Sequence, residues 1–204
     1  MMKVNPSFEY QLYNEDWRSS VRVERNGKGL TRIIETVGGV DSKPVETPLI
    51  LTDEQREQLP QIIASLTIGP AETIKRSASM RAEFVSEGKG AAWTEPELTA
   101  GAPAELRGWI ESVGHPVYRA AEVALRRAEA LEDKSQYDLA ARAYKQAVAR
   151  LASWWMPKGL RNDTNIPYQI ARQAEEDRRF GEASAGYLKV LKIRMEVYRQ
   201  KYRM

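Results

Sequence analysis

The chain has 204 residues, 42% of them hydrophobic and 29% charged, which excludes a disordered chain and leaves room for one large globular domain or two small ones. It contains no cysteine, so disulfides, thiol nucleophiles, iron–sulfur clusters and thiolate zinc sites are excluded, and no apolar run approaches the ~18 residues of a membrane span. The formal charge of +3 divides unevenly, with 13 Lys and Arg against 17 Asp and Glu over residues 1–114 (−4) and 18 against 11 over residues 115–204 (+7), so two domains meeting near 114 are expected.

The opening MMKVNPSFEYQ lacks the apolar core of a signal peptide. With the absence of cysteine this fits a reducing cytoplasm, and equally a periplasmic or secreted protein whose leader has been removed. Phe8–Tyr13 is aromatic-rich and predicts a strand, ending at the turn composition Asn14–Glu15–Asp16. Ser20–Arg25 alternates, with Val21 and Val23 on one face and Arg22 and Glu24 on the other. Asn26–Gly27 then predicts a tight hairpin turn, because both residues tolerate positive φ, and Gly29–Val37 returns as the second arm. Asn26–Gly27–Lys28–Gly29 has neither the spacing nor the ending of a phosphate-binding loop. Gly38–Pro48 reads as a loop.

Thr52–Asp53–Glu54 predicts a helix start, with a capping hydroxyl and acids in the first turn. Leu59, Ile62, Ile63 and Leu66 form its apolar stripe, and Pro60 within it predicts a kink or two short helices ended by Gly69–Pro70. Thr73–Val85 fits a period of two through Ile74, Ala78, Met80, Ala82 and Phe84, and also a helix through Ile74, Ala78, Ala82 and Val85. The turn Glu87–Gly88–Lys89–Gly90 and the short apolar Ala91–Trp93 favour a second hairpin. Glu95–Pro103 reads as a loop, and Pro103 as the first residue of a helix carrying Leu106, Trp109, Ile110 and Val113 and stopped by Gly114. The first domain is therefore expected to be a small α+β layer, with helices covering one face of an antiparallel sheet. In layout, and in VRVERNGKGLTR (21–32), PLILTDEQREQL (48–59) and AELRGWI (104–110), it resembles the emfourin-type metalloprotease inhibitors, small bacterial proteins of hairpin–helix–hairpin–helix order. That resemblance implies protease inhibition by this domain.

From His115 onward every segment is expected to be helical. Val117, Ala121, Ala124, Ala128 and Leu131 make one face of a helix running to about Asp133. A second helix runs from Tyr137 to about Trp155, ended by Pro157–Lys158–Gly159. A polar loop, Leu160–Asn165, leads through Pro167 to a third helix ending near Asp177, and Phe180–Tyr202 makes the fourth. The second and fourth helices share a pattern at an offset of 43: Tyr137 with Phe180, Ala140 with Ala183, Tyr144 with Tyr187, and Ala147–Val148 with Val190–Leu191. Rings and small residues alternating on one face let a neighbouring helix approach closely. Upstream, Ala128 matches Ala171 and Leu131 matches Ala174. These paired helices, with the run Tyr137–Asp138–Leu139–Ala140, resemble the tetratricopeptide repeat, although the usual period of about 34 residues is lengthened here by the segment Trp154–Ile166. The resemblance implies a non-catalytic, partner-binding scaffold or adaptor whose first helices line a groove. By it, Glu122, Leu125, Glu129, Tyr168, Arg172 and Glu175 would line that groove and hold a protein partner.

Other candidates compete with plainer roles. His115 is the only histidine, and as a catalytic base it would need a nucleophile and an orienting carboxylate; a boundary residue before Pro116 is the better reading. With one histidine, no cysteine and no spaced carboxylate motif, no metal, cofactor or catalytic set is assigned. Asn162–Asp163–Thr164 matches a glycosylation pattern that is common by chance. Lys189, Lys192, Arg199, Lys201 and Arg203, with Arg194 among them and Tyr198 and Tyr202 interleaved, could hold an anionic polymer or surface. They would equally complement the dipole of a helix C-terminus, and with no recognised nucleic-acid module a nucleic-acid partner is not expected. Trp155 continues the Tyr144–Val148–Leu151 stripe, whereas Trp154 falls on the flank, either roofed by the 156–166 loop or available to a partner.

Overall fold

The computed structural model describes residues 7–74, 80–151 and 158–204, the side chains of 158–163 excepted. The fold is α+β, and the chain divides into two compact units, Met1–Pro116 and Val117–Met204.

The first unit is built on an antiparallel sheet of β1 (Phe8–Tyr13), β2 (Trp17–Val23), β3 (Lys28–Val37), β4 (Val40–Asp41), β5 (Val45–Ile50), β6 (Gly69–Pro70), β7 (Met80–Ser86) and β8 (Lys89–Thr94). The order is β4-β3-β2-β1-β7-β8-β6, with β5 also on β3. The first strand is central because Phe8, Tyr10 and Leu12 all point to the core while both its edges are taken, Phe8 facing Val23 on one side and Ser86 on the other. The segment expected as a loop, Gly38–Pro48, contains β4 and most of β5. Composition misled there: Pro48 sits in a strand that, among the described residues, pairs with β3 alone, and an edge position tolerates a residue with no N–H to donate.

Both expected hairpin turns form, with bounds other than those expected. Gly27 N–H donates to Glu24 O at 2.9 Å and Glu24 N–H to Lys28 O at 2.8 Å, and only Gly27 has positive φ. This is a type I turn closed by a glycine bulge, not a two-residue turn over Asn26–Gly27. The two-residue turn is Glu87–Gly88, both at positive φ, with Ser86 facing Lys89; Lys89 and Gly90 already belong to β8. Of the strand expected over 74–84, Met80–Phe84 is extended in β7, Ile74 follows a short 3-10 turn at Ala71–Thr73, and 75–79 lie outside the described residues.

Helices α1 (Asp53–Ser65) and α2 (Gly101–Gly114) pack against each other. Thr52 caps α1 through a full capping box: its hydroxyl accepts from Gln55 N–H at 3.2 Å, and the Gln55 carboxamide accepts from Thr52 N–H at 2.9 Å. Pro60 does not divide α1, which is one helix. The proline faces solvent, where the carbonyl it leaves without an intrahelical donor is open to hydration. Nor does α2 wait for Pro103. It starts at Gly101, which places the proline in the first turn, where a missing N–H breaks no intrahelical bond. Phe8 lies 5.8 Å from the Phe84 ring and 5.7 Å from Trp109 of α2. Gly114 rests on Val21 and Thr31, and its carbonyl accepts the Thr31 hydroxyl at 2.9 Å. His115 then adopts left-handed backbone, φ +47, and ends the helix.

The second unit holds α3 (Pro116–Glu132), α4 (Tyr137–Arg150), α5 (Lys158–Glu176) and α6 (Phe180–Tyr202). The expected polar loop Leu160–Asn165 is helical and α5 passes through Pro167. Buried Thr164 continues the Ala171–Ala174 face backward at spacings of seven and three, so the polar composition belongs to one amphipathic helix. Of the extra residues of the period, 158–166 belong to a helix; Trp154 and Trp155 lie outside the described residues. Ala140, Tyr144, Ala147 and Val148 are buried, as are Ala183, Tyr187, Val190 and Leu191. Tyr137, expected to begin that face, is 42% exposed, because the first turn of α4 sits at the tip of its hairpin.

Candidate functional site: the helical hairpins of the second unit

The offset of 43 read in the sequence is repeated in three-dimensional detail. Ser135 and Arg178 both take left-handed backbone. Ser135 N–H donates to Glu132 O and Gln136 N–H to Leu131 O; at the second turn Arg178 N–H donates to Glu175 O and Arg179 N–H to Ala174 O. Both are Schellman stops, which satisfy the last carbonyls of the first helix while reversing the chain. Beside each turn a buried tyrosine of the second helix donates to an acid at the end of the first: Tyr144 to Glu132 at 2.8 Å and Tyr187 to Glu175 at 2.7 Å. Burial, reinforced by the neighbouring carboxylate, pushes both phenols well above their ordinary range. Gly186 allows α6 to approach α5, since a Cβ there would lie 2.7 Å from the Ala171 methyl.

The two acids also join the hairpins. Glu132 accepts the Ser184 hydroxyl of α6 at 3.2 Å, and Glu175 accepts Lys145 Nζ of α4 at 2.8 Å. Burial alone would raise the Glu175 carboxyl; the hydrogen bonds from Lys145 and Tyr187 outweigh it and hold the group below its usual value. Arg194, in the middle of the basic run of α6, is buried and donates to Val148 O at 2.9 Å. It is a packing residue, separate from the exposed cations around it.

The expected groove residues fall into two sets. On α3, Glu122 is half-buried and paired with Arg119 at 2.7 Å, Leu125 is half-buried, and Glu129 is exposed. On α5, the Tyr168 ring lies 5.4 Å from that of Tyr187, Arg172 is exposed and donates to Glu176 at 2.9 Å, and Glu175 is held as described. Tyr168 and Glu175 thus meet at Tyr187. Sequence reasoning missed Lys145 and the bond from Tyr144 to Glu132. The signal was present, for Glu132 and Glu175 are themselves 43 apart, as are the tyrosines they serve. It also missed Ile166 and Ile170, one turn apart on α5 and 70% and 65% exposed, because that stretch reads as a loop and its exit.

Lys189, Lys192, Arg199, Lys201 and Arg203 are exposed on α6 and its last turn. Arg199 is partly engaged: its Nε donates to Tyr118 Oη at 2.7 Å, and its guanidinium stands 5.7 Å from that ring's centre. Lys201 lies 5.4 Å from the Tyr202 ring centre.

In the first unit, a shallow groove of about 200 Å³ lies on the sheet between Glu9, Gln11, Arg18, Ser20, Arg32 and Ile34. Its arginines are matched by acids, Arg18 with Asp41 and Arg32 with Glu46 at 3.6 Å. Among the described residues no three His, Asp or Glu side chains converge as a metal site, and no helix is long and apolar enough to cross a membrane. No protein-family model, curated protein or solved structure matches the chain.

Proposed function

We propose that this protein is a non-catalytic scaffold or adaptor that holds a protein partner through its helical second unit, in the manner of tetratricopeptide repeats. The supporting observation is the duplicated hairpin: the same stop and the same tyrosine–acid bond recur 43 residues apart. A unit repeated with its packing chemistry intact has its core residues committed to structure, which leaves the faces between for recognition. Around α5 those faces combine an exposed apolar pair, Ile166 and Ile170, with the Arg172–Glu176 ion pair. Apolar anchors rimmed by charge are what a protein interface requires.

The test is affinity capture with the full chain, comparing wild type with Ile170→Asp and Arg172→Glu. A protein held by wild type and lost from either variant, with unchanged circular dichroism, is the expected result. Capture that is equal for all three, or absent, would reject the α5 face as the binding surface.

A further inference from the structure

We propose that Asn26 is a deamidation site whose rate is set by the hairpin turn that contains it. Of the five asparagines in the chain, only Asn26 is followed by glycine. With no side chain at the next residue, the backbone nitrogen can reach the carboxamide carbon. The step is intramolecular. Gly27 N attacks Asn26 Cγ, the new C–N bond closes a succinimide, and the carboxamide nitrogen leaves as ammonia with the proton lost from Gly27. Water then opens the ring at either carbonyl, giving aspartate or isoaspartate. No other reagent is needed.

Asn26 is exposed to the water that ring opening requires, whereas Gly27 is buried beneath the Arg56 side chain, and the turn holds each reacting group elsewhere. Gly27 N–H is committed to Glu24 O at 2.9 Å. The carboxamide is held at both ends: Oδ1 accepts from Lys28 N–H at 2.8 Å and Nδ2 donates to Glu24 Oε2 at 3.1 Å. Attack requires the carboxamide to rotate out of both bonds while Gly27 leaves its own. Reaction thus proceeds through local opening of the hairpin tip, and Glu24 is the residue that gates it.

The product would not fit the turn it came from. Aspartate at 26 sets a second carboxylate where Glu24 now accepts a hydrogen bond, and like charges at that range repel. Isoaspartate adds a backbone atom before Gly27, whose carbonyl accepts Leu51 N–H at 3.0 Å and thereby ties the turn to the chain just ahead of α1. Conversion at the tip would loosen that junction.

The experiment incubates full-length protein at mildly alkaline pH, folded and in urea, and follows residue 26 by peptide mapping with isoaspartate detection. The comparison includes Glu24→Ala, with Asn26→Gln as the blank. Conversion is expected at Asn26 in both states, about tenfold or more slower when folded, because several hydrogen bonds must open first. Glu24→Ala should narrow that gap, and hydrogen exchange at Leu51 should quicken in the converted protein. Equal rates folded and unfolded, no conversion of the folded chain, or a Glu24→Ala rate identical to wild type would each overturn the proposal. Should Glu24→Ala fail to fold, the folded-to-urea ratio in wild type alone decides it.

Discussion

Replacing Tyr187 with phenylalanine tests whether the tyrosine–acid bond contributes to folding or merely accompanies it. The ring is fully buried, so Tyr187→Phe preserves the packing and removes only the hydroxyl that donates to Glu175 at 2.7 Å. A hydrogen bond to a charged group is worth about 1.5–3 kcal/mol. Glu175 keeps Lys145 at 2.8 Å and its side chain is 18% exposed, so the lower end applies, about 1.5 kcal/mol. Tyr187→Ala also opens a cavity and should cost about 3–5 kcal/mol; the difference between the two variants isolates the ring. The effect has a pH signature. The Glu175 carboxyl is held below its ordinary value partly by this bond, so the stability it contributes is present above the unfolded value, ~4.3, and is lost as pH falls through the lower folded value. Phenylalanine removes one of the lowering contacts, so the gap between wild type and Tyr187→Phe should be largest near neutrality and shrink under acid. Urea unfolding followed by far-ultraviolet circular dichroism, at neutral pH and at a series of acidic values, measures it. A neutral-pH difference of nearly zero, or one that widens as pH falls, would refute the reasoning.

Gly186→Ala should destabilise the second unit by about 1–3 kcal/mol through overpacking, because the new methyl would stand 2.7 Å from the Ala171 Cβ; a stabilised variant in the same urea assay would mean the helices can separate freely. Glu87→Asn should stabilise by about 0.5–1 kcal/mol, read as a rise in the urea midpoint, since Glu87 occupies a left-handed position where a charged side chain is strained and asparagine is at home. For the basic run, Arg199→Gln with Lys201→Gln should leave binding to mixed-sequence RNA unchanged and no tighter than the ~10⁻⁴–10⁻⁶ M of non-specific contact. A loss of affinity with a flatter salt dependence in filter binding would instead make α6 a polyanion site.

Local chemistry was enough to place much of this fold. Alternation in Ser20–Arg25, the Thr52 cap and the spacing of Ala140, Tyr144 and Val148 each announce an element from within a few residues, because strand and helix periods are local properties. The offset of 43 was equally plain, and with it the pairing of Tyr144 with Tyr187. What the chain could not reveal by itself depended on partners distant in sequence. Gly38–Pro48 reads as a loop until β3 supplies the edge on which Val45–Ile50 can pair. Leu160–Asn165 reads as a loop until α6 offers a surface that buries Thr164. Arg194 and Arg199 are alike in sequence and five residues apart. Only the fold buries the first against a carbonyl of α4 and leaves the second half in solvent against Tyr118, because burial is set by what the other helices place opposite, and no local pattern encodes that.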